Sequence, residues 1–110
     1  MLENKMRPVH PGEILRDDVL TPLGMSARAF AEHLGVPSNR VSQILAGERA
    51  VTADTALRIA RLLGTTAAYW LALQAQYDLK TQQRENGATI TRSVKPLPEK
   101  VLVAASSAFF

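Results

Sequence analysis

SARAFAEHLGVPSNRVSQILAG, residues 26–47, decides the fold. Its apolar positions Phe30, Ala31, Leu34, Val41, Ile44 and Leu45 fall at helical spacing on either side of a break at Gly35, Val36 and Pro37, which predicts two short helices joined by a tight turn. Ala31 must be small because the second helix of the pair crosses close to the first there. Gly35 enters the left-handed region that ends a helix without a Cβ penalty. Pro37 suits the first turn of the next helix, where its missing N–H costs nothing. Val41 and Ile44 pin that helix to a core, leaving Ser38, Asn39, Arg40, Ser42 and Gln43 on or near its wet face. Together these features spell a helix-turn-helix, and short polar side chains with an arginine and a glutamine suit a reader of the DNA major groove. A plain helical hairpin with a solvated polar face is the competing reading, but it leaves the coincidence of these features in one window unexplained.

The chain has 110 residues, 46% hydrophobic and 21% charged, with formal net charge +3, which fits one small domain whose single core is adequate rather than generous. With no cysteine, disulfides, thiol nucleophiles and cysteine-based zinc sites are excluded. His10, at a helix start, and His33, on an exposed helix face, belong to no HExxH run or other metal-ligand spacing. A P-loop and a glycine-rich dinucleotide turn are also absent, so no enzymatic activity, metal or cofactor is expected. No apolar run approaches the roughly 20 residues that span a bilayer, and MLENKMRPVH lacks a signal-peptide pattern, so the expectation is a cytoplasmic protein without membrane contact. The surplus of positive charge lies around the helix-turn-helix and in the tail. It is a modest footprint for nucleic acid, suited to a homodimer that doubles it.

Taken in order, residues 1–9 read as a flexible lead-in, residues 10–84 as the DNA-binding and dimerisation domain, and residues 85–110 as a tail. Pro11 and Glu13 open a first helix that buries Ile14, Leu15 and Val19 and ends at Thr21-Pro22-Leu23-Gly24. Ser26 caps the second helix, with Met25 and Phe30 at the spacing of a hydrophobic staple. Gly47 stops the third. Thr52 caps a fourth that turns Ala56, Leu57, Ala60 and Leu63 inward, and Thr65 or Thr66 caps a fifth over about 67–82. On this last helix Trp70, Leu73, Gln74 and Tyr77 share one broad face. Such a face is ordinarily core, and part of it is assigned to a dimer contact because aromatic residues are enriched at interfaces. Ala88-Thr89-Ile90-Thr91 suggests a short strand, and the rest of the tail reads as disordered or as an arm on a partner.

Several separated motifs agree in order over about residues 6–84: HPGEIL at 10–15, the helix-turn-helix, SQILAG at 42–47, TALRIA at 55–60, and YWLALQ at 69–74 with Tyr77-Asp78-Leu79. With them the chain resembles the HigA (VapI-like) antitoxins, members of the lambda-repressor-like (XRE) helix-turn-helix domains. It carries Ala27 and Ser38 where many such domains place glutamine at the start of each motif helix. The resemblance implies a five-helix, all-α fold and a dimer on a palindromic double-stranded operator in its own promoter, nucleoid-associated while bound there. It also implies that the chain represses its own operon and neutralises a HigB toxin of the RelE type, a ribosome-dependent messenger-RNA endonuclease.

On the DNA side Asn39, Arg40 and Gln43 are expected to reach base edges, with Ser38 and Ser42 nearby. Ser26 presents the backbone N–H groups of a helix start to a phosphate, and Arg28 and Arg49 add charge. For the implied toxin, the first helix around Glu13, Arg16, Asp17 and Asp18 is acidic and faces away from DNA, which suits a basic partner. A stand-alone repressor without a toxin uses the same fold and site. An interaction module that never binds DNA would show no salt-dependent shift with any duplex.

Overall fold

The computed structural model describes residues 7–105, and their regular structure is entirely helical. The first helix, α1 (11–23), starts as Pro11–Ile14, widens to a π-helix over Leu15–Leu20 and closes as Thr21–Leu23. His10 caps its start: Nδ1 accepts from the Gly12 N–H at 2.9 Å. The wide turn has a local cause. Pro22 has no N–H for the carbonyl four residues back and its ring crowds that carbonyl, whereas in a wider turn the Thr21 N–H reaches Arg16 O instead. Gly24, at φ 62°, then ends the helix.

The motif follows as α2 (Ala27–Leu34) and α3 (Ser38–Leu45). Ser26 Oγ accepts from the Ala29 N–H at 3.1 Å, so the expected cap is made. Gly35 sits at φ 72°, and Pro37 occupies the cap position just before α3 rather than its first turn. Helix α4 (Ala53–Leu63) begins at Thr52, whose hydroxyl pairs with Thr55 Oγ1 at 3.4 Å rather than with a backbone N–H. Its inner face differs from expectation. Thr55, Ala56 and Ile59 are buried, while Leu57 points out at 63% exposure because it lies about 100° around the helix from Ala56.

Helix α5 (Ala67–Ser93) starts at Thr66, whose Oγ1 accepts from the Tyr69 N–H at 3.1 Å, and runs well past the expected end near 82. The strand expected over 88–91 is helix. An isolated β-branched run has no neighbour for its N–H and C=O groups, while a helix satisfies them internally. Exposed i, i+4 bonds join in, from Asn86 Nδ2 to Gln82 Oε1 at 2.8 Å and from Ser93 Oγ to Thr89 O at 2.7 Å. Where disorder was expected, a short α6 (Glu99–Ala105) follows the break at Pro96 and Pro98. The outer ends of the lead-in and tail, residues 1–6 and 106–110, lie outside the described residues.

The core joins α1 to α5. Leu15 and Leu20 meet Phe30, Ala31 and Leu34 of α2, Val41 and Ile44 of α3, and Ile59 and Trp70 behind them. Gly12 is the tightest contact: a Cβ there would overlap the Ile44 carbonyl oxygen, so glycine alone lets α1 cross α3 this closely.

Candidate nucleic-acid interface

With one side of α3 spent on the core through Val41 and Ile44, its other side presents exposed Ser38, Asn39 and Ser42 and half-buried Gln43. Asn39 and Gln43 are one turn apart and share a face. Ser42 Oγ donates to Asn39 O at 3.3 Å, which ties the shorter hydroxyl to its own helix. Ser26 and Arg28 stand exposed at the start of α2, and Arg49 is exposed on the loop after α3.

Arg40 differs from its sequence-based placement as a free side chain. Its Nη1 donates to Asp54 Oδ2 at 2.7 Å, and the side chain is only 28% exposed. The same oxygen accepts from Arg58 Nε at 3.0 Å, and Arg58 Nη1 donates to Leu34 O at 2.8 Å, at the end of α2. The hydrogen bonds from Arg40 and then Arg58 hold the Asp54 carboxyl below the ordinary carboxylate range. One chain of polar contacts thus runs from the turn of the motif through α4 to its second helix. Beside it Arg40, Arg49, Thr52 and Asp54 line an open hollow of about 470 Å³. Sequence reading placed Asp54 only as a first-turn acid; its i, i+4 spacing to Arg58 was the available signal.

The loop carrying Arg49 is fastened from both ends of the domain. Gly47 rests against the His10 ring, and the Arg49 backbone lies close enough to that imidazole to favour its charged form. The Val51 N–H donates to Gln74 Oε1 at 2.8 Å, and Gln74 Nε2 donates to Asp78 Oδ1 at 3.0 Å. Of the four residues expected at a dimer contact, Trp70 and Gln74 are buried within this chain, and Leu73 and Tyr77 are half-buried. Trp70 is 2% exposed with Nε1 donating to Thr65 Oγ1 at 2.8 Å, and Gln74 is 6% exposed. Leu73 packs on the core, and Tyr77 meets His10 edge-on at 4.9 Å. Gln74 serves the loop after α3, which needs a partner for a buried N–H.

The acidity expected on α1 is largely neutralised within the chain. Glu13 pairs with Arg7 at 2.7 Å and Asp17 with Arg16 at 3.0 Å, while exposed Asp18 makes no ion pair among the described residues. Asp18 stands instead at the rim of an apolar groove of about 660 Å³ lined by Val19, Leu23, Leu63 and Tyr69.

Burial lowers the His10 pKa below its ordinary 6.5, against the charge of Asp78 and the Arg49 backbone contact, which raise it. A proton is therefore taken up more readily by the unfolded chain. Stability tied to neutral His10 is complete above about 6.5 and is lost as pH falls toward the lower folded value. Urea unfolding at pH 7.5 and 5 should show a loss of stability at the lower pH that His10→Asn, which keeps a capping acceptor, reduces. An equal drop in the variant would remove His10 as its source.

The family model described as Helix-turn-helix matches residues 17–70. Virulence-associated protein I of Dichelobacter nodosus is 46% identical over 83 residues, 76% of this chain and 77% of its own length. Among solved structures, an addiction module antidote protein of a HigA family from Coxiella burnetii is 49% identical at a TM-score of 0.79, with 84% of this chain and all of that one covered. The Pseudomonas aeruginosa antitoxin HigA, solved with the higBA promoter, is 40% identical at a TM-score of 0.81 over 84% of this chain and all of its own. The family is one of helix-turn-helix antitoxins and transcription regulators, a non-enzymatic class. On fold, motif and identity together, the chain belongs to the HigA family of helix-turn-helix antitoxins.

Proposed function

We propose that this chain is the antitoxin of a toxin–antitoxin pair. As a homodimer it represses its own operon in the cytoplasm, and it neutralises a HigB-type messenger-RNA endonuclease. The observation that carries the DNA half is the exposed polar face of α3, on a fold 40% identical to a HigA solved with its promoter. Asn39 and Gln43 meet base edges in the major groove, with Ser38 and Ser42 beside them. Ser26, Arg28 and Arg49 meet phosphates, and Arg40 stands where the base face passes into the backbone face. A dimer sets two such helices in successive major grooves. On the protein side, the α1 surface around Asp17 and Asp18 faces the toxin, with Glu13 and Arg16 flanking it and the groove beside Leu23 adding apolar area.

Expression of the open reading frame adjacent to this gene, with and without this chain, tests the proposal. Growth arrest that the chain relieves supports the antitoxin reading. A harmless neighbour leaves a stand-alone repressor. Charge reversal at Asp17 and Asp18 should weaken the rescue, and undiminished rescue would move the toxin to another surface.

A further inference from the structure

We infer that Asp54 is a specificity-setting residue of the DNA interface, acting through Arg40. The inference rests on the DNA-reading face proposed above. In the free chain Arg40 is already engaged: Nη1 sits 2.7 Å from Asp54 Oδ2, and the side chain is 28% exposed. That oxygen is itself held by Arg58, which is anchored on Leu34 O at 2.8 Å, so the carboxylate cannot simply swing away with Arg40. For Arg40 to bring Nη1 to DNA, or to turn its whole guanidinium into the groove, it must give up this pair. A fully docked α3 returns an equivalent acceptor at a fixed distance. A loosely docked α3, sliding on an arbitrary sequence, offers phosphates at varying distance and angle and returns less. Asp54 thereby makes the Arg40 contact conditional on complete docking and penalises non-operator DNA, the repulsive half of specificity.

The expected size follows from the exposure of the pair. Asp54 is 56% exposed, and ion pairs of this kind couple weakly, so the operator-to-random affinity ratio should change about threefold to fivefold rather than a hundredfold. The test uses a duplex enriched by the wild-type chain from a random-sequence pool and a scrambled duplex of the same composition, titrated at several salt concentrations. Asp54→Asn should tighten the scrambled duplex about threefold to fivefold and steepen its salt slope by about one, with little gain on the enriched duplex. Asp54→Glu, which keeps the charge, should restore most of the ratio. In an Arg40→Ala background, Asp54→Asn should leave the ratio where Arg40→Ala alone puts it.

Equal tightening of both duplexes would reduce Asp54 to bulk charge and overturn the inference. So would a ratio that falls as far without Arg40 as with it. A wild-type chain that enriches no sequence would instead overturn the reading of α3 itself, and this inference with it.

Discussion

Gly12→Ala is expected to destabilise the chain by about 3 kcal/mol and to impair DNA binding at temperatures where the variant is still folded. The added methyl would overlap the Ile44 carbonyl oxygen, a backbone atom that no rotamer change can move. Relief requires α1 to lift away from α3, and α3 carries Asn39 and Gln43. Urea unfolding gives the stability, and titration with operator duplex at low temperature gives the affinity. Gly87→Ala is the control, since a Cβ at Gly87 on α5 would meet only Gln83 Cβ, at an ordinary 3.9 Å, and alanine is the better helix former, so that variant should gain up to about 1 kcal/mol. A Gly12→Ala chain of wild-type stability would show that α1 and α3 do not cross as described.

The second large effect is on recognition. Gln43→Ala should lower affinity for the operator by about tenfold to a hundredfold while leaving a random duplex almost unchanged, because a bidentate amide–base contact contributes about 1–3 kcal/mol of discrimination. Asn39→Ala should act in the same way. The two residues share one turn of α3, so the double variant is expected to lose less than the product of the single losses. Equal weakening of operator and random duplex would move both residues from the base face to the backbone.

Much of the fold was legible because short-range rules carried it. The left-handed glycines at 35, 47 and 64, the Ser26 and Thr66 caps, and the Val41/Ile44 pair each depend on neighbours within a turn. What stayed hidden depended on partners far along the chain. Periodicity marked the Trp70 to Tyr77 face as apolar with a few polar groups, but only the bond from Val51 to Gln74 tells that its polar group serves a loop of the same protomer. Sequence reading turns Leu57 inward and passes over Ile59, and the rotation of α4 against its neighbours reverses the two. Gly12 looks like an ordinary helix-start glycine until Ile44 lies against it. At the far end, the β-branched run at 89–91 suggests strand, yet without a pairing neighbour it continues the helix. The polar face of α3 was legible residue by residue, except that the carboxylate holding Arg40 lies 14 positions away.

The fastening of the loop after α3 by Gln74 ties DNA reading to the order in which the chain is made. The helix-turn-helix is complete in sequence by residue 47, yet Val51 finds its acceptor 23 positions later, and that acceptor is steadied by Asp78. During translation the reader head is therefore unsupported until α5 has left the ribosome. A fragment cut before residue 74 would carry every proposed base-contacting side chain and still lack the brace for the loop that bears Arg49. Loss of α5 to a protease would then lift repression without touching a single one of those side chains.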